Sequence, residues 1–224
     1  MSVNVNKKSE FIRQIVTICL GLLIVVSRVI YPTNVEITKT TVIIETIVEL
    51  LICIGVIFLN RVKLKEIFSK KINYGKLILS TLKIAGLILL GQVFFSIIIS
   101  ILFGLLSINI DELYDPAAIV GEQFSIIFPI GVMFTQCITA PITEEIVFRM
   151  TCKDLFKNKY LFIIISSLLF GFIHTANFFN ISILNYAIVG VIFSILYIRN
   201  KDDLRVLISG HMFFNIALTV LSLL

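Results

Sequence analysis

The stretch APITEEIVFRM places two adjacent carboxylates, Glu144 and Glu145, and a guanidinium, Arg149, inside a largely apolar chain. The chain holds two histidines, His174 and His211. Each lies in an apolar run with a companion four residues away: Phe170 before His174 in FGFIH, and Asn215 after His211 in HMFFN. Residues four apart share a helix face, so Glu145 can pair with Arg149 and each companion lies beside its histidine. Glu144 is rotated by about 100° from Glu145 and points elsewhere. A carboxylate in a low-dielectric pocket is suited to act as a general base near neutral pH. Charge in hydrocarbon costs at least ~2.5–3.5 kcal/mol, so these groups need a structural or chemical reason to be there.

The elements that must position them are membrane helices. Of 224 residues, 58% are hydrophobic and 15% charged, with a mean hydropathy of +1.04. Soluble domains run at about 45–50% apolar and about 25% charged. Seven apolar runs are visible, roughly 11–31, 41–59, 77–106, 123–150, 160–178, 181–198 and 206–224. Several approach the roughly 20 residues that a spanning helix needs. The expected fold is all-α, a polytopic bundle of about seven spans forming one integral membrane domain. Within it, 1–122 hold N-terminal helices and a basic loop, and 123–224 hold the chemistry. The N-terminus, MSVNVNKKSEFIRQ, reads as the start of an uncleaved first helix, since no small-residue cleavage site follows. Cys19, Cys53, Cys137 and Cys152 have no CxxC spacing and read as small packing residues.

Charge alternates along the connections. The N-terminus, the 60–76 segment, the 151–160 turn and the 199–205 loop together hold fifteen of the 19 basic residues. The 107–122 connection is acidic, and 178–180 is uncharged. The positive-inside rule makes the basic side cytoplasmic, with the N-terminus inside. The segment VKLKEIFSKKINYGKLI reads either as an interfacial helix on an anionic leaflet or as a solvated basic loop. Arg28 lies near the outer end of the first run, and Lys83 can snorkel from the third. Glu45 and Glu49 share a face of the second run and read as packing contacts or as lining of a cavity.

Local geometry predicts where the reactive groups meet. Pro141 lacks the amide for one helical hydrogen bond, so a kink or break is expected before the glutamates, with Thr143 as a cap for the restarted helix. Glu144 and His174 are equidistant from Lys159 in a basic turn. Two antiparallel helices turning there bring both to one height, roughly 20 Å above the turn. His211 lies six residues past Arg205, or roughly 9 Å along a helix. To join the others it needs a deeper helix start, a tilt, or a cavity open to the cytoplasm.

EEIVFR (144–149), FGFIH (170–174) and HMFFN (211–215), in this order on successive segments, resemble the CPBP family of CAAX-protease and bacteriocin-processing (ABI) intramembrane proteases. The resemblance covers about 123–224 and uses both histidines. It implies an endopeptidase whose site lies within the membrane and opens towards the cytoplasm. Glu144 with His174 would activate water. Glu145 and Arg149 would hold the geometry, with Phe170 as a wall. His211 and Asn215 would stabilise the oxyanion or help to bind a metal. Peptide hydrolysis needs such a base and such donors. The family is generally called a metalloprotease family, and a zinc site takes three protein ligands. His174, His211 and Glu144 or Glu145 would supply them. HExxH is absent, and the inventory fits zinc or another divalent metal and a metal-free site alike.

The expected substrate is a membrane-anchored peptide or protein, in a bacterial plasma membrane, with the lipid bilayer as the other partner and no nucleic acid. Two alternatives stay open. One is a non-proteolytic member of the same family acting in bacteriocin self-immunity or as a membrane scaffold. The other is a small ion- or proton-coupled transporter using Glu45, Glu49 and Glu144.

Overall fold

The computed structural model describes residues 2–30, 38–105, 129–175 and 183–222. The acidic 107–122 connection, the 178–180 connection and the Arg28 side chain lie outside the described residues. All regular structure among the described residues is helical: α1 (Ser2–Ile30), α2 (Lys39–Leu59), α3 (Arg61–Ser69), α4 (Tyr74–Leu105), α5 (129–155), α6 (Lys159–Thr175), α7 (Ile183–Arg199) and α8 (Leu204–Ser222). Among the described residues, the seven expected apolar runs fall on α1, α2, α4, α5, α6, α7 and α8. α2, α4 and Leu204–Leu221 of α8 are long and apolar enough to cross a membrane. α6 and α7 are apolar and shorter, 17 residues each.

The basic 60–76 segment is partly helical. α3 turns directly out of α2 at Asn60, which is buried. Asn60 Nδ2 donates to Thr17 Oγ1 (3.1 Å) and to the Val56 carbonyl (2.9 Å), and Arg13 donates to Asn60 Oδ1. These bonds tie α1 to the α2–α3 corner. α3 buries Leu64 and Ile67 and leaves Arg61 and Lys65 exposed. Lys63 pairs with Asp154 at the end of α5.

α5 is the central element, packed against α1, α2, α6, α7 and α8. Its residues from Thr143 to Thr151 are all buried. The expected break at Pro141 does not occur, and Thr143 lies inside the helix without capping it. Instead the helix widens into i→i+5 turns over Thr135–Thr139 and Glu145–Thr151. The reason is local. In the first wide turn the Ala140 amide bonds the Thr135 carbonyl. The next bond in that series would join residue 141 to Gln136, and proline has no N–H to give. Asn215 Nδ2 of α8 supplies the donor to the Gln136 carbonyl at 2.7 Å. A neighbouring helix thus satisfies the carbonyl, which is how membrane helices tolerate proline.

α6 and α7 pack closely through small residues. A Cβ added at Gly190 would stand 2.8 Å from Ser167 Cα, and one at Gly171 would stand 2.9 Å from the Ile183 carbonyl. Such small-residue contacts let helix backbones approach where lipid provides no hydrophobic drive. The outward faces of α2, α4 and α6 carry Leu51, Leu90 and Ile164, all exposed, as lipid-facing surfaces require.

Candidate active site

The site is built on α5, α6, α7 and α8. Arg149 and Glu145, one helical turn apart on α5, have no accessible side-chain surface, and Arg149 Nε lies 3.5 Å from Glu145 Oε2. Breaking a buried pair by removing one partner costs about 3–5 kcal/mol, so each group makes the other tolerable. Three further contacts hold Arg149. Nη1 donates to Ser166 Oγ of α6 (2.8 Å). The guanidinium lies 4.7 Å over the Phe170 ring and 5.2 Å over the Phe193 ring. Ser166 Oγ donates to the Phe148 carbonyl (2.6 Å) and accepts from Ser194 Oγ of α7 (3.2 Å). One cation therefore knits three helices.

Glu145 Oε1 faces His211 Nδ1 at 3.0 Å. A carboxylate paired with arginine accepts, so His211 Nδ1 carries the proton. His174 Nδ1 lies 2.8 Å from the Phe170 carbonyl. A carbonyl only accepts, so His174 Nδ1 is also the protonated nitrogen. In their neutral forms, both imidazoles then turn Nε2 lone pairs towards Glu144. His174 Nε2 is 4.0 Å from Glu144 Oε1, and His211 Nε2 is 3.8 Å from Glu144 Oε2. These gaps exceed a direct hydrogen bond.

Rings fix the imidazoles. Phe170 lies 4.5 Å from His174 and 6.2 Å from His211, centroid to centroid. Phe193 lies 4.4 Å from His211. Tyr186 of α7 stacks on His174 at 4.6 Å with 20° between planes.

The structure thus brings Glu144, Glu145, Arg149, Phe170, His174 and His211 into one cluster. Asn215 sits one turn beyond His211, with one amide hydrogen committed to Gln136. α8 begins at Leu204, close to the expected point, and its packing against α5 brings His211 to Glu144 and Glu145. Glu45 is buried and Glu49 half-buried on α2, and α2 packs against α5. Sequence reasoning missed Ser166, Ser194, Phe193 and Tyr186. The two serines had a signal, a hydroxyl within an apolar run. Tyr186 and Phe193 had none, because only the α6–α7 packing places them against the histidines.

Two Nε2 lone pairs and a carboxylate are the donor types of a zinc site. Bonds of about 2.0–2.1 Å in a tetrahedral shell hold donors about 3.4 Å apart. The separations of 3.8 and 4.0 Å are wider, and no group of three His, Cys, Asp or Glu side chains among the described residues is arranged to hold a metal. In this geometry the three donors stand wider than a tetrahedral zinc shell would hold them.

The class of protein that emerges is a helical membrane protein with a carboxylate–imidazole centre enclosed by its helices. Residues 126–217 match the family model described as type II CAAX prenyl endopeptidase Rce1-like, the same family, on the same segment, that the three motifs resemble. An uncharacterized protein of Mycoplasma capricolum subsp. capricolum is 31% identical over 183 residues, covering 80% of this chain and 54% of its own length. The UPF0177 protein YaiH of Lactococcus lactis subsp. lactis is 30% identical over 135 residues, covering 58% of this chain and 56% of its own. The chain spans about half the length of these curated relatives. No solved structure matches it.

Proposed function

We propose that this chain is an intramembrane endopeptidase cutting membrane-anchored peptides or proteins. The single observation that carries the reading is Glu144 facing the Nε2 atoms of His174 and His211 at 4.0 and 3.8 Å. A water bridging Glu144 and an imidazole donates both hydrogens to protein acceptors and turns its lone pairs to the scissile carbonyl. Glu144 takes the first proton as the C–O bond forms and returns it to the departing amine. The second amide hydrogen of Asn215 stabilises the oxyanion, while His211, its Nδ1–H held by Glu145, keeps its Nε2 lone pair on the water. Arg149 keeps Glu145 in place and Tyr186 keeps His174 in plane. No step here uses a metal.

The topology belongs to the same proposal. Seven spans, with the N-terminus and the basic connections on the cytoplasmic side, accord with the distribution of lysine and arginine. The bacterial relatives favour a bacterial plasma membrane.

The test compares the membrane peptidomes of cells carrying the wild-type chain and Glu144→Gln, each with and without a chelator. A general acid–base group contributes about 10²–10⁴-fold, so processed peptides should fall by that order in the variant at unchanged expression. Unchanged processing would sink the protease reading and leave the immunity or scaffold role. Altered proton or ion flux with no bond cut would point to a transporter. Loss of cleavage on chelation alone would show that a metal has to be added to the mechanism.

A further inference from the structure

A concavity of about 580 Å³ lies where the α3–α4 link meets the α7–α8 turn. Its size is that of a small-molecule site. Six basic side chains line it: Lys70 and Lys71 from the link, Lys76 from the first turn of α4, Arg199 from the end of α7, Lys201 from the turn and Arg205 from the first turn of α8. Two acidic side chains, Asp202 and Asp203, share the space. Asp203 is already engaged, because Arg205 Nε donates to Oδ1 (2.9 Å) and Nη2 to Oδ2 (2.8 Å). Those bonds hold its carboxyl below the usual carboxylate range. Lys70 pairs with Glu66. Lys71, Lys76, Arg199 and Lys201 enter no ion pair among the described residues.

The walls are fastened together. Arg205 Nη1 donates to the Lys70 carbonyl (2.8 Å), and the Thr81 and Ser209 hydroxyls lie 2.7 Å apart between α4 and α8. Both helices present their first turns here, where the helix dipole is positive.

The turn itself is unusual. Lys201 and Asp202 have φ of 57° and 59°, the left-handed region. The Asp202 amide bonds the Tyr197 carbonyl (3.0 Å) and the Lys201 amide bonds the Ile198 carbonyl (3.1 Å). This is the helix ending that glycine fills most easily. A lysine there carries a conformational cost and gives in return a cation at the cavity mouth.

The geometry points to a binding site for a phosphate-bearing anion, either the headgroup of an anionic phospholipid or inorganic phosphate. Ile67, Ile72 and Leu77 also line it and suit the start of a lipid's acyl chains. The site lies outside the Glu144 cluster and stands or falls independently of the protease reading.

The test is a titration of the 224-residue chain in neutral detergent with dihexanoylphosphatidylglycerol, dihexanoylphosphatidylcholine and inorganic phosphate, read as the shift in unfolding midpoint. Phosphatidylglycerol should raise the midpoint and phosphatidylcholine should not. Each removed cation weakens such contacts about fivefold, so Lys71→Gln/Lys76→Gln/Lys201→Gln should lose well over tenfold in affinity. Lys7→Gln/Lys8→Gln/Lys157→Gln, which removes equal charge elsewhere, should bind as the wild type does. Lys201→Gly should unfold at the same temperature or higher, yet bind about fivefold more weakly. A larger shift with phosphatidylglycerol than with phosphate assigns the lipid headgroup, and equal shifts assign free phosphate; both support the site. Equal affinity in the two triple variants, or full affinity in Lys201→Gly, overturns it.

Discussion

Arg149 shows how a cation can be kept where no solvent reaches it. Its partners are one carboxylate, one hydroxyl and two ring faces, and none is spare. Arg149→Met should therefore leave Glu145 buried without its counter-ion and destabilise the chain by about 3–5 kcal/mol. Chemical unfolding in detergent measures this. Pairing it with Glu145→Gln should recover part of the loss, because the uncompensated charge goes too. At this scale the sequence was informative wherever a polar atom interrupts an apolar run. Glu144, Glu145, Arg149 and both histidines announced themselves in that way, and so did Ser166 and Ser194, whose signal was overlooked. Tyr186 is an aromatic in an aromatic-rich chain, and nothing local distinguishes it from the phenylalanines that only fill space.

Helix α5 was only partly legible. Its apolar run and Pro141 were plain, but the expected break assumed that the orphaned carbonyl had nowhere to turn. Asn215, 79 residues away, answers it, and no local window reveals so distant a donor. Asn215→Ala should thus cost about 0.5–1.5 kcal/mol, the net worth of one such hydrogen bond. In a Pro141→Ala background, where an amide is restored, the same change should cost much less. A double-mutant cycle read by unfolding tests the coupling, and additive losses would refute the pairing. The α6–α7 contact makes a second prediction. Gly190→Ala drives a methyl towards Ser167 Cα at 2.8 Å and should destabilise by about 1–3 kcal/mol. Gly86→Ala on α4 meets nothing within 4 Å and should be neutral or stabilising by up to about 1 kcal/mol.

For the molecule as a whole, the apolar runs foretold an all-helical fold, and three of its helices are long and apolar enough to cross a membrane. They did not foretell which helix would be central, since burial by protein and burial by lipid read alike in a sequence. Orientation rests on charge alone and can be tested directly. Cys53, Cys137 and Cys152 are buried and Cys19 is exposed, so a Cys19→Ser chain gives a quiet background. Single cysteines at Lys65, Lys157 and Lys201 should then all react with an impermeant maleimide from the cytoplasmic face. Labelling of any one from outside would refute the proposed orientation. The widened turns of α5 carry a final consequence for comparing this chain with others. A wide turn holds about one residue more than an ordinary helical turn, so the number of residues between Thr135 and Thr151 is itself part of the geometry. A gap opened there in an alignment is not a neutral length difference. A relative one residue shorter across that stretch would swing a different pair of side chains towards the two imidazoles, and motif letters that still line up on the page would no longer mark equivalent positions in space.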